Sequence, residues 1–271
     1  MTINARTVDV PGGSLFTTRS GETKPVAVMV HSGLAHSDMW LPLMSALGDD
    51  IPAVAYDCRC CGRSTTTLDG TFSDHADLAS VLDAYEMKSA FLVAESRGAR
   101  IAIDFALAFP ERVRGLFLLA PDVSGYDAPV ADDERPLIDA VGAAEDAWEV
   151  EEIIAHEVRL FVDGPAREQD AGRDALRTSV AEMLRLNYTQ QKDTPDFDSP
   201  EPAAGRLADL TCPVRVLVGD EDTTGMRATA AEIERACAQA TLLRVPDAAH
   251  ALTLEHPELV ERELRSWWRN F

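Results

Sequence analysis

Phe91-Leu92-Val93-Ala94-Glu95-Ser96-Arg97-Gly98-Ala99-Arg100 runs from an apolar segment into a helix through a serine flanked by small residues. Phe91 to Ala94 reads as a buried strand, and Arg97 to Phe109 carries apolar residues at helical spacing, so Ser96 stands on the turn between them. So sharp a turn leaves no room for long substituents two positions to either side, and Ala94 and Gly98 meet that need. The turn also sets Ser96 at a helix N-terminus, where unpaired amides and the macrodipole stabilise negative charge that develops nearby. The structural alternative is that Ser96 simply caps the helix.

Outward from this decapeptide the same alternation recurs. Val26 to His31, Val54 to Asp57, Val113 to Leu119, Val214 to Gly219 and Leu242 to Val245 read as buried strands. Helical spacing marks Trp40 to Leu47, Ser73 to Tyr85, Arg227 to Ala238 and Pro257 to Phe271. Strands alternating with helices imply an α/β fold with a mostly parallel central sheet flanked by helices. Thr7 to Val10 and Ser14 to Thr18, around Pro11-Gly12-Gly13, predict an antiparallel hairpin at the sheet edge. Asp127 to about Ala204 interrupts the pattern, with helical spacing over Glu149 to Phe161 and Asp174 to Leu186 and no clear strand. The expectation is a core domain of residues 1–126 and 205–271 with an inserted helical cap, 127–204. Thr-Pro, Ser-Pro and Glu-Pro pairs between Asp193 and Gly205 favour extended chain where the insertion returns to the core.

Forty-six acidic against 25 basic residues give a net charge of −21, which repels phosphate backbones and anionic lipid surfaces. Nucleic acid and membrane partners are therefore not expected. Met1 to Gly21 lacks a basic region followed by an apolar run, so a cytoplasmic protein is expected. Five cysteines, an odd number, predict reduced thiols rather than a disulfide framework. Cys58, Cys60 and Cys61 have no second ligand pair at zinc spacing, so no metal is expected.

The elbow resembles the G-x-S-x-G nucleophile elbow of the α/β-hydrolase superfamily, with Ala94 at the first glycine. In that family the order along the chain is nucleophile, acid, histidine. The strand Val214 to Gly219, followed by Asp220-Glu221-Asp222, resembles the acid-bearing loop, whose carboxylate commonly lies three positions after the glycine. The resemblance selects Asp222, with Asp220 and Glu221 as near alternatives and capping of a helix near Thr224 as the structural one. Val245-Pro246-Asp247-Ala248-Ala249-His250, followed by Glu255-His256-Pro257, resembles the histidine loop and selects His250; His256 is expected at the surface. His31-Ser32-Gly33 with Trp40 downstream resembles the H-G-x loop, implying that the backbone amides of Gly33 and Arg97 form an oxyanion hole. His31 is expected to anchor that loop through its ring nitrogens. Asp57-Cys58-Arg59-Cys60-Cys61-Gly62-Arg63-Ser64 occupies the place of the family's structural D-x-R-G-x-G-x-S loop, with Cys60 where glycine is common.

Trp40 and the side chain of Arg97 are the candidates for substrate contact. Packing is the alternative for Trp40, and an ion pair with Glu95 or the acidic cap is the alternative for Arg97. Phe161 to Pro165 and Asn187-Tyr188 look like segments of enol-lactonases and carbon-carbon hydrolases. The reading is thus a hydrolase of a small ester or lactone with Ser96, His250 and Asp222 as its catalytic residues, and with no metal, nucleotide or flavin. Its alternatives are a carbon-carbon bond hydrolase and a non-hydrolytic member that binds a ligand or shapes a biosynthetic intermediate.

Overall fold

The computed structural model describes residues 3–192 and 194–271. The chain opens with β1 (Ile3–Val10) and β2 (Gly13–Ser20), then β3 (Ala27–Val30), α1 (Leu41–Leu47) and β4 (Ala53–Tyr56). Next come β5 (Thr65–Thr66), β6 (Thr71–Phe72), α2 (Asp74–Ala84), β7 (Ala90–Glu95), α3 (Arg97–Ala108) and β8 (Val113–Leu119). Three helices follow without an intervening strand: α4 (Arg135–Ala147), α5 (Val150–Glu157) and α6 (Asp174–Gln191). The chain then forms β9 (Asp196–Phe197), β10 (Val214–Gly219), α7 (Thr224–Ala236), β11 (Ala240–Val245), α8 (Leu252–Glu255) and α9 (Pro257–Trp268).

The large sheet runs β1-β2-β4-β3-β7-β8-β10-β11, with β5 added to β2. It is parallel from β4 to β11, and the β1–β2 hairpin is antiparallel at the edge, as the sequence suggests. β7 lies inside the sheet between β3 and β8, which explains its unbroken apolar run: both faces of a parallel strand are covered. One face packs on α2, α3 and α7, through residues such as Leu78, Ile101, Phe105 and Ile233. The other packs on α1 and α9, through Leu43, Met44, Leu264 and Trp267.

Local chemistry sets the helix starts. The Ser73 hydroxyl accepts from Ala76 N at 3.3 Å at the head of α2, and the Thr223 hydroxyl accepts from Met226 N at 3.2 Å at the head of α7. Pro257 begins α9, where a missing N–H costs nothing. The expectation of no strand between 127 and 204 is corrected, because Asp196–Phe197 pairs in parallel with Thr71–Phe72. Asp193 lies outside the described residues.

α4 to α6 are tied to the loops at the carboxyl ends of the strands. Asn187, fully buried on α6, accepts from Gly62 N at 2.9 Å and donates to Ala35 O at 2.9 Å. Gln190 donates to Gly62 O, and Arg167 reaches Asp247 O at 2.9 Å and Glu255 at 2.8 Å. Between α5 and the next loop the backbone widens into a π turn, Val158–Asp163, which carries Phe161 toward the histidine loop. Trp148 ends α4 in a left-handed conformation, its indole edge-on to Tyr188 at 5.9 Å.

Candidate active site

Ser96 sits between β7 and α3 with φ 56° and ψ −120°, a conformation that strains any residue with a β-carbon. It is held there by its own amide, which donates to Leu119 O at 2.9 Å, and by its carbonyl, which accepts from Ala99 N at 2.8 Å. A β-carbon at Gly98 would lie 2.3 Å from Val30 O and 2.6 Å from His31 O, so the helix can approach β3 this closely only with glycine there. Ala94, at the place of the family's first glycine, is fully buried. The Ser96 side chain makes no capping hydrogen bond to the helix, against the reading of Ser96 as a simple cap.

His250 and Asp222 meet in the same region. Their side chains are joined through His250 Nδ1 and Asp222 Oδ2 at 2.9 Å, and both are buried. The other Asp222 oxygen accepts from Thr223 N at 2.7 Å, while the helix cap itself is made by Thr223. Asp220, one of the near alternatives, instead pairs with Arg244 at 2.6 Å. Burial pulls the His250 imidazole down, but the Asp222 carboxylate and its hydrogen bond outweigh this, and His250 stands above its ordinary value. The ring packs on Phe161 at 4.9 Å, and the His250 amide donates to Phe161 O at 3.1 Å, so the π turn after α5 bears on the histidine directly.

Ser96 and His250 line one cavity of about 560 Å³, together with Gly33, Arg97, Phe161 and Tyr188. A β-carbon at Gly33 would meet nothing within 4 Å, so this stretch of backbone faces open space. Arg97 is the first residue of α3, where an N–H has no partner within the helix.

His31 behaves as the sequence suggests: its Nε2 accepts from Cys58 N at 2.9 Å and its Nδ1 contacts Ser32 O at 2.7 Å. Burial holds it down at about 4, so it is neutral at ordinary pH. Asp57 in turn accepts from the amides of Ser37 and Arg63, both at 2.7 Å. Cys60, where relatives commonly have glycine, adopts φ 58°.

Two expectations change. Trp40 is fully buried in the apolar layer with Met29, Leu43 and Leu252 and is not among the residues that line the cavity, so it packs in the core instead of facing the cavity. Arg97 does line the cavity, but its guanidinium is held by Asp74 at 3.1 and 3.2 Å rather than by Glu95 or a carboxylate of α4 to α6. That carboxylate, at the head of α2, is the chief reason why the Arg97 pKa is raised. Glu95 points to the opposite face of the sheet. His256, expected at the surface, is half-buried, and its Nε2 is inaccessible to water.

Two polar residues of the site, Asp74 and Glu157, were not singled out from sequence, and Tyr188 was noted only as part of a family-like segment. The Tyr188 hydroxyl donates to Glu157 at 2.9 Å on the cavity wall, and burial pushes the Glu157 carboxyl up to about 7. For Glu157, an acid one turn after Ile153 and Ile154 was the available signal. Among the described residues no group of three or more His, Cys, Asp and Glu side chains is arranged to hold a metal ion, and no helix is long and apolar enough to cross a membrane.

Comparison with known proteins agrees with this architecture. A 2-(acetamidomethylene)succinate hydrolase of Mesorhizobium japonicum is 24% identical over 275 residues, 97% of this chain and 94% of that protein. The biotin biosynthesis bifunctional protein BioHC of Cellvibrio japonicus is 25% identical over 87% of this chain, which spans only 46% of the length of that relative. Among solved structures, the esterase RhEst1 from Rhodococcus sp. ECU1013 superposes with a TM-score of 0.78 at 18% identity, covering 98% of each chain, which shows a shared fold. The model of the Alpha/beta hydrolase family matches residues 27–263, and with the parallel sheet and strand-to-helix elbow already described, the chain belongs to that family.

Proposed function

We propose that the protein is a serine hydrolase that acts through an acyl-enzyme on a small-molecule ester or lactone, with residues 127–204 as a helical cap over the site. The observation that carries this reading is the His250–Asp222 pair, joined at 2.9 Å, at the wall of a cavity that Ser96 also lines. Membership of a family of hydrolases supports it.

In this mechanism Ser96 Oγ attacks the carbonyl carbon while His250 Nε2 takes its proton, Nδ1 being occupied by Asp222. Asp222 fixes the tautomer and stabilises the imidazolium. The amides of Gly33 and Arg97 receive the tetrahedral oxyanion, aided by the positive end of α3. The tetrahedral species collapses as His250 returns the proton to the leaving alcohol, and water then repeats the sequence to free the acid. The Arg97 side chain, bound to Asp74, shapes the wall beside the serine and leaves the substrate carboxylate idea without support.

Fluorophosphonate labelling with mass mapping tests the reading. Wild type should be labelled at Ser96, and Ser96→Ala should not. A folded wild type that resists labelling would sink the acyl-enzyme reading and favour a ligand-binding role.

A further inference from the structure

Glu95 immediately precedes Ser96, yet the proposed mechanism does not use it. The pleat of β7 puts Phe91, Val93 and Glu95 on one face, and Phe91 and Val93 lie there in the apolar layer with Met39, Trp40, Leu252 and Leu264. Glu95 is fully buried. Its Oε2 accepts from Thr253 N at 3.1 Å and from the Thr253 hydroxyl at 2.6 Å, and its Oε1 is buried with no hydrogen-bond partner among the described residues. Thr253 lies three residues after His250, on the short helix α8. The side chain therefore spans from the residue beside the serine to the turn that follows the histidine.

A carboxyl in an apolar layer with one unpartnered oxygen is costly, and an aliphatic side chain would pack there without that cost. The charged groups that face Glu95 are His250, from the loop after β11, and Asp222, from the loop after β10. β8 presents Leu119 across from it, and α8 presents Thr253.

We propose that Glu95 is a positioning residue of the Ser96 site: it clamps Thr253, which fixes the turn that carries His250, and its carboxylate adds to Asp222 in favouring the imidazolium. The inference rests on Ser96 and His250 acting as nucleophile and base. Burial pushes the Glu95 carboxyl up to about 7, against the Thr253 hydrogen bond and the attraction of His250, so its charge grows across the range in which an imidazole titrates. Against the downward pull of burial, Glu95 joins Asp222 in raising His250.

The test uses Glu95→Gln and Thr253→Val in the full chain, with two readouts. One is the pH dependence of the rate at which a fluorophosphonate labels Ser96; the other is the titration of the His250 ring followed by NMR, which needs no turnover. Glu95→Gln should slow labelling about tenfold and move the His250 midpoint down by about half a unit or more. Thr253→Val, which keeps the Glu95 carboxyl group and cuts one bond of the clamp, should slow labelling and move the midpoint less. Labelling of Glu95→Gln within about twofold of wild type at every pH, with an unmoved His250 midpoint, overturns the proposal. If Glu95→Gln does not fold, an unchanged labelling rate in Thr253→Val overturns the clamp. A wild type that is not labelled refutes the nucleophile reading instead, and the NMR midpoint then decides whether Glu95 acts on His250.

Discussion

Replacing Asn187 with alanine should destabilise the protein by about 3 kcal/mol, because one fully buried amide serves two distant loops at once. Gly62 N and Ala35 O each lose a partner at 2.9 Å, and both residues are buried where water does not replace it. An orphaned buried donor or acceptor costs about 1–3 kcal/mol, so two together cost about 2–6, offset in part by the side chain no longer desolvated. For a chain of this size about 3 kcal/mol lowers the melting temperature by roughly 6–12 °C. Circular dichroism melts and urea midpoints measure the change, and amide exchange at Gly62 should quicken in the variant. Leu186→Ala, on the exposed side of the same helix, should stay within about 0.5 kcal/mol of wild type. A melting point for Asn187→Ala within about 2 °C of wild type would refute the clasp between α6 and the strand-end loops.

Other outcomes follow from the same geometry. Gly98→Ala drives a β-carbon to 2.3 Å from Val30 O, so it should cost about 3 kcal/mol or more; a urea midpoint equal to wild type would count against the tight approach of α3 to β3. The folded Glu95 carboxyl titrates near 7 against an ordinary 4.5, so its proton stabilises the folded state at low pH, and this is lost as pH rises through about 7, at most about 3 kcal/mol. His31, held at about 4, works in the opposite direction between about 4 and 6.5, so the comparison must be made between wild type and Glu95→Gln. Between pH 5 and 8 wild type should lose stability relative to that variant, and parallel curves would contradict the assignment. On the cavity wall Arg59, Arg97 and Arg100 are matched by Asp77, Asp74 and Asp122, whereas Asp104, Glu145, Glu157 and Asp198 have no cationic partner among the described residues. Neutral esters should therefore be hydrolysed about tenfold faster than matched anionic ones, and a succinate half-ester that outpaces the butyrate ester would reverse the idea.

The sheet and the elbow were legible because a parallel strand buried on both faces writes four or more apolar residues in a row, as Phe91 to Ala94 and Leu116 to Leu119 do. The nearness of Asp222 and His250 was foreseen through the resemblance of the two loops that carry them, each after a strand. Two-residue strands such as Thr71–Phe72 and Asp196–Phe197 are too short to have a period, and their pairing joins segments more than a hundred residues apart. The direction of Trp40 is set by the tight 3₁₀ turn Ser37–Trp40, which no spacing rule reports. The partner of Arg97 depends on the head of α2 lying beside that of α3, a tertiary fact. Glu95 left a trace: on the face shared with Phe91 and Val93 it breaks an apolar alternation.

The four indoles of this chain are divided unevenly between its parts. Trp40, Trp267 and Trp268 lie with the sheet, the last with its ring 4.4 Å from that of Phe91, while Trp148 alone lies with α4 to α6, against Tyr188. Tyr188 is also the partner of Glu157 on the cavity wall. Emission from Trp148, isolated by difference against Trp148→Phe, is thus a built-in optical gauge of α4 to α6. Ligand entry that shifts α6 should change this signal while the three indoles of the sheet stay constant.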